Sequence, residues 1–302
     1  MPNLIYDTSA TQQAPLGDEL QVGTDRVFRY CKNGPAALTV GTVLQGPLPN
    51  ASHSNLACAA ALRGATAVTL TFAAGDPVTL NQYKEGYLYI NDGATVLASG
   101  RASSAAGEGF LYDVKSHPGG GGEDTTKKVT IKDPVVVALT TSSQATLIPN
   151  PYSGVNKPFG DPWDILVGVN PVAVAVNEYF WAQVRGPAIV LQEGALFAGR
   201  GVMASQEVPG AVSVLKQVVP VTGSRGTTSL MGGVDRGPST PGAQKEYSQK
   251  ALVRRPSGTG RFDDDELLEN FSGRATVPER VIGYCINPRV STEHALVYLT
   301  LS

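Results

Sequence analysis

The chain has 302 residues, of which 17% are charged, and a formal net charge of -2. That balance leaves no electrostatic footprint for nucleic acid and does not favour an acidic partner. With 34 glycines and 21 prolines, and few lysines, glutamates or glutamines, the composition argues for many short strands joined by tight turns.

Residues 1–21 are polar, lack periodicity and read as an extended N-terminal arm. Their opening, Met1 to Pro15, has neither a basic start nor an apolar run, so no signal peptide is expected. No apolar run anywhere reaches bilayer length, so no membrane partner is expected either. Residues 27–31 alternate as a strand. Asn33, Gly34 and Pro35 turn it, and residues 38–44 read as its hairpin partner. The Ala-rich residues 46–63 fit a short helix and a packed loop equally.

Residues 67–72, 86–91, 109–114, 128–131 and 135–139 read as strands of one β unit over 66–148. Ser116, His117, Pro118 and the run Gly119 to Gly122 interrupt it as a flexible loop tip. Residues 22–148 thus form a first β module, and the Pro/Gly-rich residues 149–163 a linker.

A second module spans 164–302. Its best-patterned stretch is 168–203. Val172, Val174 and Val176 alternate, Asn177 and Glu178 turn the chain, and residues 179–184 form a strand. Gly186 and Pro187 break the next strand, and residues 189–191 follow. Together they predict a local antiparallel meander closing a sandwich or small barrel. Residues 212–215, 218–219, 281–286 and 295–301 read as further strands. Residues 222–260 lose apolar periodicity and form a long loop insert, and residues 263–268 fit a short helix. No internal repeat is convincing. The fold class is all-β: two β-sandwich or barrel-like modules with an N-terminal arm and a loop insert.

Chemistry-bearing residues do not converge in the sequence. Cys31, Cys58 and Cys285 show no CxxC spacing. They read as buried thiols, with a Cys31–Cys58 disulfide left open. His53, His117 and His294 stand far apart, without metal-ligand spacing. The acids from Asp263 to Glu266 lack the spacing of a calcium loop, and Glu108 between two glycines reads as a turn. Trp163, Tyr179 and Trp181 are either a sugar-stacking platform or core or interface residues. No catalytic residue, cofactor or metal is expected, so the chain does not read as an enzyme.

Four stretches carry a resemblance: VTLTFAAGDPVTLNQYKEGYLYIND, GEGFLYDVKSHP, VTIKDPVVVALTTSSQATLIPNPYSGV and PVAVAVNEYFWAQVRGPAIVL. In texture and phrase order they resemble head structural proteins of tailed bacteriophages, in particular the decoration or cement proteins of the capsid. The closing VIGYCINPRVSTEHALVYLTL resembles the end of the same kind of protein.

The resemblance implies a virion protein on the outer capsid surface that bridges capsomers. Its partners would be the major capsid protein and further copies of itself, as a homotrimer. The arm and the insert supply reach and are expected to carry the contacts, through Leu4, Ile5 and Tyr6 and through Arg225, Arg236, Lys245, Arg254 and Arg255. These stretches cannot bury enough apolar area alone to offset their ordering entropy. The alternative is a tail- or fibre-associated β protein that binds host glycans, although repeated shaft segments are not visible. A β-sandwich hydrolase is a third class, without a readable catalytic set.

Overall fold

A computed structural model describes residues 4–76, 78–92, 107–120, 125–158, 165–215 and 281–301. All of these lie in one unit, Met1–Leu215 with Val281–Ser302. The described residues are strands and turns, with only two single 3-10 turns, Leu4–Tyr6 and Ala51–His53. The all-β fold class holds.

In chain order, β1 (Glu19–Val22), β2 (Arg26–Asn33) and β3 (Val43–Gln45) precede β4 (Leu56–Cys58), β5 (Ala67–Thr71) and β6 (Tyr87–Asp92). Then come β7 (Leu111–Ser116), β8 (Thr126–Ile131), β9 (Gln144–Ile148), β10 (Ser153–Val155) and β11 (Leu166–Val169). The long β12 (Tyr179–Leu191) is followed by β13 (Gly201–Ala204), β14 (Val212–Val214), β15 (Gly283–Asn287) and β16 (His294–Thr300).

The middle of the chain closes a barrel in the order β4-β5-β8-β7-β6-β9. Period-two alternation dictates its interior: Val68, Leu70, Leu88, Ile90, Tyr112, Val114, Val129, Ile131 and Leu147 point inward and are buried. Its wall is largely polar, with Thr71, Lys115 and Lys128 exposed and Lys132 paired to Asp113 at 3.3 Å, although Leu111 is 61% exposed on it.

All other strands form a 10-stranded sheet with the path β1-β2-β12-β16-β15-β13-β14, to which β3, β10 and β11 attach. The expected module boundary therefore shifts. Residues 22–45 do not belong with the barrel: β2 pairs with β1 and β12, and β3 pairs with β11. The predicted hairpin between residues 27–31 and 38–44 does not form.

The meander expected over 168–203 is replaced by one strand. β12 pairs with β2 along its first half and with β16 along its second. Gly186 and Pro187 do not break it. A bulge falls between Gln183 and Arg185, and Gly186 follows at φ +85, where a Cβ would stand 2.6 Å from the Asp25 carbonyl oxygen. Only glycine admits that approach.

Residues 135–139 are not a strand either. Val135 and Leu139 are buried while Val136 and Val137 are exposed. Residues 46–63 are mostly loop around the short turn and β4. The expected strand at 218–219, the insert 222–260 and the helix at 263–268 lie outside the described residues.

A short structural repeat recurs in both regions. Leu38 and Val174 form one isolated antiparallel bridge, Ala61 and Leu139 another. In each, the two amides donate to the opposing carbonyls, at 2.9 and 3.0 Å in the first and 3.1 and 2.8 Å in the second. Three residues after the bridge, Gly41, Gly64 and Asn177 adopt positive φ. The amides of Gly41, Gly64 and Asn177 each donate four residues upstream of the partner bridge, to Asn170, Val135 and Gly34. An alanine precedes every bridge residue, at positions 37, 60, 138 and 173.

Candidate functional site

Of the expected contact residues of the arm, one is packed inward. Ile5 is 3% exposed in a cluster with Phe28, Tyr30 and Trp181, while Leu4 and Tyr6 remain on the surface. Ser9 and Tyr179 exchange both backbone hydrogen bonds. The amide of Gln13 donates to the Tyr30 hydroxyl at 2.9 Å. The Glu85 carboxylate then accepts from the Leu16 amide at 2.7 Å and from Gln12 Nε2 at 2.8 Å. The segment 4–22 is thus a cover of its own chain: it shields the aromatic face of β2 and β12 and fastens the sheet to the barrel. Arg225, Arg236, Lys245, Arg254 and Arg255 lie outside the described residues, as does Trp163.

Of the aromatic platform, Trp181 is core and Tyr179 is half-buried beside it. Trp181 is 7% exposed and Tyr30 3%, with ring centroids 5.0 Å apart. Tyr179 stacks on Tyr30 at 5.9 Å, and Lys32 Nζ lies 5.6 Å from the Tyr179 ring centroid.

The structure brings together two histidines that the sequence keeps far apart. Asn50 caps the turn Ala51–His53 through the Ser52 amide and so directs His53 into the lower end of the barrel, where it is 1% exposed. His53 Nδ1 meets the Tyr83 hydroxyl, and its Nε2 lies 3.4 Å from Asp76 Oδ2. Phe72 packs edge-on against the His53 ring at 5.0 Å. Tyr83, 1% exposed, donates its backbone amide to His117 Nε2 at 2.9 Å. The other His117 nitrogen, Nδ1, donates to the Pro118 carbonyl at 2.9 Å. These partners fix His117 as the neutral tautomer, with the proton on Nδ1.

Burial lowers the pKa of His53, outweighing the nearby Asp76. It also lowers that of His117, outweighing the Pro118 carbonyl. The Tyr83 phenol is pushed up to about 12 by burial and by Asp76. Asp76, His53 and Tyr83 thus follow one another in space, but His53 Nε2 and Asp76 Oδ2 make no hydrogen bond, and the Tyr83 hydroxyl is enclosed and held protonated. What the cluster does is lock the loops 46–55, 72–86 and 116–120 together. The sequence reading made residues 116–122 a flexible tip, but His117 is 4% exposed and anchored at both nitrogens. Nothing in the spacing of His53, Asp76, Tyr83 and His117 could have signalled this cluster.

The three thiols are free and buried, so Cys31 and Cys58 are not joined. Burial pushes the Cys58 thiol up to about 11 and raises those of Cys31 and Cys285. Among the described residues, no three His, Cys, Asp or Glu side chains converge as metal ligands.

The opposite end of the barrel differs in kind. Loops 59–66 and 132–143 leave it side by side, held by the Ala61–Leu139 bridge and by Gly64 donating to the Val135 carbonyl at 2.8 Å. They present Leu62 at 81%, Val136 at 48% and Val137 at 38% exposure. Exposed apolar side chains thus stand at this end of the barrel, as Leu48 and Leu80 do at the histidine end. No family model matches the sequence, and no curated protein or solved structure matches it either.

Proposed function

We propose that the chain is a virion structural protein of a tailed bacteriophage, bound to the outer surface of the capsid shell and stabilising it by bridging capsomers. The observation that carries the reading is the exposed group Leu62, Val136 and Val137, presented by two loops that backbone hydrogen bonds fix to each other. Exposed apolar side chains on a fixed backbone are a physical mark of a protein-binding site. The backbone hydrogen bonds that join its two loops hold it in shape, so docking orders little and wastes little entropy. The resemblance of the sequence to decoration proteins supplies the partner, the major capsid protein, and self-association as a homotrimer. Many copies on one shell make modest contacts sufficient through avidity.

The test is imaging of virions labelled with antibody against the chain, alongside heads assembled with the double variant Leu62→Asp, Val136→Asp. Label over the head surface, and bare heads with the variant, are the expected results. Label confined to tails, or none on virions, overturns the reading. The first of these outcomes leads to the glycan-binding alternative.

A further inference from the structure

Two segments at the histidine end of the barrel, 78–83 and 116–120, are tied together by four hydrogen bonds. The Gly120 amide donates to the Val78 carbonyl at 3.0 Å, and the Asn81 amide to the His117 carbonyl at 3.2 Å. The His117 amide donates to Asn81 Oδ1 at 3.0 Å. The fourth tie, from the Tyr83 amide to His117 Nε2 at 2.9 Å, is one that only a neutral imidazole can make. Nδ1 already holds a proton against the Pro118 carbonyl, so a second proton must go to Nε2. There it meets the Tyr83 N–H, donor against donor, and leaves that amide without its acceptor.

His53 stands in the opposite situation. Its Nε2 lies 3.4 Å from Asp76 Oδ2, and both atoms are buried without a hydrogen-bond partner. A proton on His53 therefore finds a carboxylate to answer it, and a small closing movement makes a charge-assisted bond. The Tyr83 hydroxyl at Nδ1 turns to accept instead of donate.

We infer that His117 is an acid-operated latch: a proton at Nε2 releases segment 116–120 from residues 78–83 and opens the lower end of the barrel, while His53 takes up its proton in place against Asp76. The tie holds above the ordinary histidine value of about 6.5 and is lost below it, because the closed form excludes the proton that the open form accepts.

The groups around the latch favour release. The Tyr83 ring faces His117 at 5.8 Å between centroids, and its phenol stays neutral in acid. Asp76 acts on His53 and Tyr83, whereas the charge that reaches His117 is that of His53, which opposes a second proton. On the flanking positions, Lys84 lies 3.8 Å from the Glu85 carboxylate and Lys115 is exposed on β7. Neither supplies a negative charge to hold His117 in its protonated form.

The latch depends on hydrogen-bond polarity and not on what the chain binds, so it fails separately from the capsid reading. Hydrogen exchange of the purified chain, corrected for the intrinsic rate, tests it at about pH 7 and about pH 5, either side of the ordinary histidine value. A site that admits no proton when closed, and titrates at about 6.5 when open, opens up to about 25-fold more at the lower pH. Protection of residues 78–83 and 116–120 should fall by up to that factor, with β5 and β8 unchanged. In His117→Gln the amide oxygen accepts from Tyr83 and the amide nitrogen donates to Pro118, so protection should be the same at both pH values. His53→Gln should still release. Unchanged wild-type protection overturns the inference, as does a loss that persists in His117→Gln or spreads equally to β5 and β8. If His117→Gln does not fold, His53→Gln decides: loss of the release in that variant assigns the latch to His53 and overturns it.

Discussion

The barrel and the 10-stranded sheet solve the same problem from opposite ends of the contact-order scale. The barrel takes its strands from one continuous stretch, β4 to β9, and closes, leaving no edge. The sheet is assembled from chain ends. β12, in the middle of the sequence, pairs with β2 near the start and β16 near the finish. It stays open, with edges at the four-residue β1 and the three-residue β14. Short edge strands blunt the hazard of an open sheet, but Ile189, Tyr284 and Ile286 stay exposed on it. Closure leaves the barrel no edge to protect, whereas an open sheet keeps surfaces to spend on partners.

The largest expected effects test whether the two regions are separate folding units. Leu88 in the barrel and Leu299 in the sheet are both fully buried. Truncating either to alanine should cost about 2–5 kcal/mol. Hydrogen exchange then decides the comparison. If each variant loses protection only in its own strands, barrel and sheet are separate cooperative units. Loss across both strand sets in either variant would make them one.

The N-terminal segment gives the next effect, because it belongs to neither core yet touches both. Ile5→Ala should cost about 2 kcal/mol, at the low end for such truncations, and should shift Trp181 fluorescence to the red. An arm that only reaches outward would leave both unchanged.

The barrel was the legible part of the sequence. Residues 67–72, 86–91 and 128–131 alternate cleanly because one face is core and the other solvent, and their partners are close by. The sheet was not legible in the same way. Residues 27–31 were correctly read as a strand, but nothing in them names β12 as partner, some 150 residues away. Val172, Val174 and Val176 alternate without forming a strand: only Val174 is bridged, and the period reflects the bridge-and-turn repeat. That repeat was present as an alanine, a bridge residue and, three positions after the bridge, Gly41, Gly64, Ser142 or Asn177. Five-residue motifs with two fixed features fall below what periodicity detects. Ile5 looked like part of a polar tail because its partners Phe28, Tyr30 and Trp181 come from strands far along the chain. The histidine cluster had no sequence signal, since loops position it and spacing does not.

Acid should act on the barrel before the sheet. His53 and His117 have lowered pKa values in the folded chain, so the unfolded chain binds protons more readily. Their contribution is present above the ordinary histidine value of about 6.5 and is lost as pH falls below it toward the folded values. Between about pH 7 and pH 5, a span chosen to straddle that ordinary value, the melting temperature should drop by a few degrees. Exchange should rise first in loops 46–55, 72–86 and 116–120. His117→Gln should flatten the pH slope. A slope unchanged in that variant would place the acid sensitivity elsewhere.

The finest comparison uses equivalent positions of the repeat in the two regions. Gly41 serves the sheet and Gly64 the barrel, at φ +70 and +87. Asn177 shows that an asparagine takes the same conformation in this motif, at φ +61. Gly64 has nothing within 4 Å of a prospective Cβ, so Gly64→Asn should be close to neutral and Gly64→Ala should cost only the left-handed strain, about 1 kcal/mol. At Gly41 a Cβ would fall 2.6 Å from the His294 ring and 3.1 Å from the Ile189 carbonyl oxygen. The ring can move, but it would give up its contact with the Val40 carbonyl at 3.1 Å, and the strand backbone cannot yield as far. Gly41→Asn should therefore cost more than Gly64→Asn by about 1–2 kcal/mol, the range for measured strain and lost hydrogen bonds. Urea titration of the three variants measures this directly. Equal costs at the two glycines would mean that the turn, and not its surroundings, sets the price of the repeat.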